Sequence, residues 1–323
     1  MPFITDREQA SDAINRLIRS KASMAIFCTA SHWNVEAILR AADKFAADHN
    51  IKDIPVAVAM TSHYQYMQQA KRVTRSGNHK IGIMAVMQYC KLLCDGPDAP
   101  YANVCVLPHL DHADPIKDRW ELTEGLDYFA SVMFDMQQYP IEEKMEATAK
   151  YVKEYGHRVL VEGALESLGV SGAKESHQVD NYVEKAVEFV KRTKVDFLVA
   201  DLGTEQQSTS TGKVYLKKRA QELTANLGRP MLVLHGTSSL KDEDIRGFSE
   251  DGVVRVNMWT RIVREAGKKA AKSLCARMDA IEANDFEACE ARQYIEDNID
   301  HAADIMYDIL SSLNYAALSE KCR

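Results

Sequence analysis

The chain has no apolar run long enough to cross a bilayer, which argues against a helical membrane protein. It has no strong excess of one charge. Lys and Arg number 40 against 47 Asp and Glu, a formal net charge of −7, so nothing favours nucleic acid or an anionic membrane as a partner. No G-x-G-x-x-G follows any apolar run, which weakens a dinucleotide-binding reading. Cysteine is sparse: there are 7, scattered, and Cys90 and Cys94 have no second Cys or His pair at zinc-site spacing. These thiols are expected to be reduced and mostly in the core, as in a cytoplasmic protein, without a structural disulfide. The first residues, Met1 to Arg7, do not read as a signal peptide. No repeat, linker or low-complexity stretch divides the chain, so a single domain over 1–323 is expected.

What is present is an alternation of short apolar runs with amphipathic segments. Hydrophobic residues make up 46% and charged residues 27%, the balance of a soluble globular protein. Eight runs read as strands: Met24–Thr29, Ile54–Met60, Val104–His112, Phe129–Asp135, Arg158–Glu162, Val195–Leu202, Pro230–His235 and Val253–Asn257. Helical patterns separate them, the first from about Asp6 to Arg19 with Thr5 or Asp6 as its cap. Gly163–His177 reads as a Gly- and Ser-rich loop, followed by an amphipathic stretch, Val179–Lys191. This order predicts a (β/α)8 TIM barrel, an α/β fold that uses about 250 residues. The surplus is a helical C-terminal extension over 262–323. Its apolar stripe, Ile295, Ile299, Ala302, Ile305, Met306, Ile309 and Leu313, would pack on the barrel or on another subunit.

A barrel gathers the C-terminal ends of its strands at one mouth, where such folds keep their chemistry. The third run ends in His109, Asp111 and His112. Regular alternation would put His109 and Asp111 on one side and His112 on the other, with Ala113-Asp114-Pro115 ending the strand. The other ends supply Asp135, Glu162, Gly203-Thr204 with Gln206, His235-Gly236, and Asn257 with Thr260. His112 and His235 suit a borderline-soft divalent metal such as zinc, and Asp111 beside them suits proton transfer. Gly236, Thr237, Ser238 and Thr260 precede helix N-termini after the last two strands, the usual phosphate site of this fold. The structural alternatives are histidines satisfied in the core and hydroxyls that merely cap helices.

These residues resemble the class II fructose-bisphosphate and tagatose-bisphosphate aldolases, from about Ala25 to Ile262. His109–His112 looks like that family's H-x-D-H motif. Ser131–Asp135 with Pro140–Glu143 and Thr148, Val161-Glu162, Leu202–Thr204, Leu232–Gly236, and Val256-Asn257 with Thr260 follow in the family's order. The resemblance implies a lyase that makes or cleaves a C–C bond beside the ketone of a sugar phosphate, through an enediolate. It implies a divalent metal, usually zinc, on His112 and His235, and a proton-moving role for Asp111. Asn257 would contact the substrate, and Ser238 and Thr260 its phosphate. A homodimer or homotetramer would follow.

The departures are specific. Gln206 stands where the family has its remaining histidine ligand, and Ala164 where it has a second acid. Glu205 or Glu162 is then a candidate replacement ligand, as are His109, His32 and His63; a harder ion, or no metal, are the alternatives. No lysine lies at a strand end, which disfavours a Schiff-base aldolase. Two rivals follow from the altered ligand set. One is metal-independent enolate chemistry run by Asp111, Glu162 and His235. The other is a non-catalytic relative that binds a sugar phosphate or supports a partner chain.

Overall fold

The computed structural model describes residues 2–166, 168–170, 181–208, 212–290 and 292–319. Eight parallel strands close a barrel: β1 (Met24–Cys28), β2 (Ile54–Thr61), β3 (Val104–Ala113), β4 (Ser131–Phe134), β5 (Leu160–Ala164), β6 (Phe197–Val199), β7 (Leu232–Leu234) and β8 (Val253–Met258). Neighbours in sequence are neighbours in space, and β8 returns to β1 from Met24 opposite Arg255 to Phe27 opposite Met258. The expected TIM barrel is therefore what the chain builds. Parallel strands covered on both faces read as continuous apolar runs, and β2, IPVAVAMT, is buried at every position.

Local signals set the helices around them. Asp6 accepts from the Gln9 N–H at 2.9 Å and starts Arg7–Arg19. Asn78 accepts from the N–H groups of Lys80 and Ile81 and starts His79–Cys94. The amphipathic stretch after the long loop forms the helix Tyr182–Thr193. Residues 167 and 171–177 of the loop expected over Gly163–His177, and the first two of the amphipathic stretch, lie outside the described residues.

The strand ends fall within one to three residues of the sequence reading, the largest shift being at β6, which stops at Val199. β5 runs two residues further, to Ala164, and β3 one further, to Ala113. A short parallel ribbon also appears, Gly169–Val170 against Glu205–Gln206, which joins the loops after β5 and β6. Its period is too short to announce itself in the sequence.

The C-terminal helices belong to the barrel wall. Arg292–Ser312 packs on Thr260–Ala276 and on His32–His49, burying Ile299, Ala302, Met306 and Ile309. The following turn places Tyr315 under the barrel, where its hydroxyl accepts from the Ala25 N–H and donates to the Pro55 carbonyl, each at 2.9 Å. Among the described residues, no helix is long and apolar enough to cross a membrane. The cysteines described, Cys28, Cys90, Cys94, Cys105, Cys275 and Cys289, are all free thiols.

Candidate active site

The mouth is organised by an irregularity in β3. His109 pairs with Ser131 and Leu110 with Val132, but the next pairing is Ala113 with Phe134, so β3 carries an extra residue there. His112 adopts φ +48°, a left-handed conformation uncommon for a residue with a side chain. In a regular strand Asp111 and His112 would face opposite sides. The bulge turns both into the cavity at the barrel mouth, which they line together with His235, Gln206 and Asn257.

The histidines are oriented from behind. The His112 Nδ1–H donates to Asp135 Oδ2 at 2.7 Å, and the ring stacks on Tyr64 with centroids 3.9 Å apart and planes 5° from parallel. That fixes the tautomer with the Nε2 lone pair facing the mouth. His235, just past the end of β7, presents its ring 5.0 Å from that of His112. His112 Nε2, His235 Nε2 and Asp111 Oδ1 are all buried and all without a hydrogen-bond partner. Ligand atoms of the three residues lie within 4.8 Å of one another. A buried unsatisfied polar atom costs about 1–3 kcal/mol, so three on neighbouring residues are an unfavourable arrangement unless something binds there. Two imidazoles and a carboxylate make a donor set that fits a divalent cation.

Electrostatics distinguish the three groups. Burial opposes the Asp111 charge, but His112, His235 and His109 outweigh it and hold its pKa below the ordinary carboxylate range. Burial likewise opposes a charged His112, yet Asp111 and Asp135 together raise its pKa. Burial takes His235 down to about 4, which leaves a neutral imidazole at physiological pH. Asp135→Ala removes the carboxylate that orients His112. We expect it to weaken divalent-metal binding about 10–100-fold with the fold intact, as read by equilibrium dialysis beside a circular-dichroism melt.

The remaining expected residues divide between mouth and support. Thr237, Ser238, Gly236 and Thr260 line the cavity, with Trp259 and Arg261 beside them. Gly236 has φ +75°, and a Cβ there would meet the Glu205 backbone at 2.8 Å, so only glycine lets the ribbon pass. Thr260 begins a helix of 17 residues whose preceding residue, Trp259, gives no side-chain cap. Gly203 and Thr204 do not line the cavity. Gly203 packs on Val214 and Leu216, and Thr204 supports the mouth from behind by donating to the His235 carbonyl at 2.5 Å.

None of the proposed replacement ligands joins the cluster. Glu205 faces Lys213 at 3.9 Å. Glu162 lies one layer below the mouth, fully buried and ion-paired with Arg255, because β5 continues two residues past it. His109 shares that layer, with Nδ1 2.9 Å from Ser131 Oγ and Nε2 3.7 Å from Glu162 Oε2. His63 pairs with Asp118, and His32 sits against Tyr89. Gln206 does line the mouth, with its Oε1 3.4 Å from the Tyr64 hydroxyl. Ala164 is a buried apolar residue, so no acid stands there.

Sequence reasoning missed three contributors. Cys28, at the end of β1, donates to Asn257 Oδ1 at 2.9 Å and leaves Asn257 Nδ2 buried and unpartnered. Tyr64 and Gln69 come from the segment after β2. Cys28 and Tyr64 follow strand ends, so the rule that found His112 would have found them had it been applied to β1 and β2.

A family model for class II fructose-bisphosphate aldolase matches residues 8–316. The chain belongs to the class II fructose-bisphosphate aldolase family. It is 29% identical over 200 residues to a fructose-bisphosphate aldolase of Staphylococcus epidermidis, covering 60% of this chain and 65% of that protein. It is 32% identical over 163 residues to a 6-phospho-5-dehydro-2-deoxy-D-gluconate aldolase of Shouchella clausii, covering 49% of this chain and 54% of that one. The chain thus spans less than two thirds of either relative. The crystal structure of fructose-bisphosphate aldolase from Campylobacter jejuni shares the fold, with a TM-score of 0.74 at 17% identity, over 97% of this chain and 95% of that one. In this aldolase family member, the H-x-D-H segment is the bulged end of β3 described above.

Proposed function

We propose that this aldolase-family protein is a lyase that makes or breaks the C–C bond beside the ketone of a phosphorylated sugar, through an enediolate. The observation that carries the reading is that Asp111, His112 and His235 bring ligand atoms within 4.8 Å of one another in the mouth, while Asp111 Oδ1, His112 Nε2 and His235 Nε2 are buried without a hydrogen-bond partner. His112 and His235 would hold the divalent ion, with Gln206 or Asp111 nearest to complete the set; zinc suits two imidazoles best. Bound there, such an ion supplies a Lewis acid next to the substrate carbonyl.

The chain's own residues do the rest. Asp111, ionised at neutral pH, accepts the proton of the substrate hydroxyl as the bond breaks and returns it when the bond forms. Asn257, with its free Nδ2–H, donates to a substrate oxygen. Arg261 and the uncapped start of the helix Thr260–Ala276, with Gly236 and Ser238 opposite, receive the phosphate. Trp259 narrows that end, which favours a shorter or differently substituted ketose over fructose 1,6-bisphosphate. Both named relatives act on phosphorylated sugar derivatives, in keeping with a phosphate requirement.

The test compares the wild type with His112→Ala/His235→Ala. Metal is measured by mass spectrometry on protein freed of chelator, and cleavage is assayed over a panel of ketose phosphates. The expected result is one equivalent of metal less in the variant and loss of cleavage. Equal metal content and equal turnover would defeat the proposal. Gln206 and Ala164, in place of a histidine and an acid, favour one second reading, acid–base chemistry by Asp111 and neutral His235 alone. Cleavage that survives chelation in the wild type would select it. Glu162, sealed beneath the mouth, has no part in either.

A further inference from the structure

We propose a second divalent-cation site, apart from the barrel mouth, formed by His63, His79 and Glu121. These residues come from three separate pieces of chain. His63 lies two residues past β2, His79 opens the helix His79–Cys94, and Glu121 lies in the short helix Arg119–Leu122 after β3. Candidate ligand atoms of all three lie within 4.8 Å of one another, and the two imidazole centroids are 4.4 Å apart.

The polar groups around this point are arranged as a metal site arranges them. Glu121 is fully buried. Its Oε1 receives Ser62 Oγ at 2.5 Å and lies 2.5 Å from His79 Nδ1, while its Oε2 is buried and has no partner at all. Asp118, also fully buried, lies behind His63 with Oδ1 2.8 Å from the ring Nδ1. It accepts the His63 and Asp114 N–H groups as well, at 3.1 and 2.8 Å. That repeats the way Asp135 holds His112, and it leaves His63 Nε2 as the ligand atom. The side chains of His63 and His79 are 21% and 22% exposed, so an ion has a way in.

Charge points the same way. Two fully buried carboxylates, Asp118 and Glu121, have only imidazoles and neutral donors against them. Among the described residues no lysine or arginine pairs with either. Buried carboxylates without a full countercharge are unfavourable, and a divalent cation is the charge that would balance this pair. Two nitrogens and one oxygen suit zinc or a similar borderline ion rather than calcium or magnesium, with a water completing the shell from the open side.

An ion here would clip the loop after β2 to the loop after β3. The residue next to His63 is Tyr64, whose ring stacks on His112. The site would therefore hold the wall of the mouth without touching the substrate. This inference does not rest on the proposed function.

The experiment is a zinc titration of the full chain, read by equilibrium dialysis and mass spectrometry, beside His79→Gln, which keeps a polar group facing Glu121. Two equivalents in the wild type and one in the variant are expected. One equivalent that vanishes in His79→Gln would support this site and count against metal at the mouth. Equal zinc content in the two proteins, whether two, one or none, overturns the proposal. A circular-dichroism melt in chelator checks that the variant folds. If it does not, anomalous diffraction at the zinc edge from wild-type crystals decides: a peak among His63, His79 and Glu121 is required.

Discussion

Asp111→Ala is expected to lower kcat/KM for aldol cleavage about 10²–10⁴-fold, the usual contribution of a positioned general acid–base group. That range corresponds to about 2.7–5.5 kcal/mol of transition-state stabilisation. The expectation follows from where Asp111 sits. It is nearly sealed, 4% exposed, with Oδ1 unpartnered and Oδ2 only 3.8 Å from the weakly donating Cys28 thiol. Oδ1 is therefore available to a substrate proton. Its pKa lies below the ordinary carboxylate range, so it enters the reaction as a base without a preceding deprotonation. Asp111 is also close enough to His112 and His235 to ligate an ion, and the two roles separate cleanly. If it carries the proton, Asp111→Ala retains the metal of the mouth and loses turnover. If it is mainly a ligand, metal content falls and excess metal restores activity. Turnover equal to wild type would remove Asp111 from the mechanism.

The barrel was legible because strands buried on both faces leave a plain signature, an unbroken apolar run of four to eight residues. His112 and His235 were legible because each ends such a run. What the pattern could not carry is anything that depends on a register shift. Alternation separates Asp111 from His112, and only the bulge opposite β4 brings them together. Glu162 was misplaced by a two-residue error at the end of β5, which is one layer of the barrel interior and the difference between mouth and core. Arg255 drew no notice inside VVRVNM, since a lone arginine in a strand acquires its meaning only when β8 closes against β1 and faces β5 across the interior. The His63, His79 and Glu121 cluster was invisible for a related reason. Its members are far apart in sequence and meet only because β2 and β3 are adjacent strands whose loops leave on the same side. His63 drew attention as a substitute ligand for the mouth, but its own loop carries it to Asp118 instead.

The largest effect on stability is expected at that interior layer. Arg255 and Glu162 are both fully buried and ion-paired, with the other guanidinium arm 3.0 Å from Ser131 Oγ and the cation 5.3 Å from the Phe197 ring centroid. TIM-barrel interiors are ordinarily layers of branched apolar side chains, so this one has taken two charges out of water. Removing one partner leaves the other charge buried and uncompensated, which costs about 3–5 kcal/mol. Arg255→Met, which keeps most of the volume, should therefore lower the unfolding free energy by about that amount at pH 8, as read by urea denaturation. The pH dependence has a definite sign. Burial pushes the Glu162 carboxyl up to about 7, and Arg255 is what keeps it from rising further. A folded-state pKa above the unfolded one means stability that is present at low pH and is lost as pH rises through the folded value. Without Arg255 the folded carboxyl holds its proton to higher pH than in the wild type. The gap between the two proteins should then widen as pH rises through 7, and be smallest below pH 6, where Glu162 is neutral in both. Arg255→Met/Glu162→Leu should recover most of the loss, because the cost comes from the orphaned charge and not from the missing pair. A single-variant loss under about 1 kcal/mol, or one that shrinks with rising pH, would mean that water reaches this layer and that the barrel interior is not closed there.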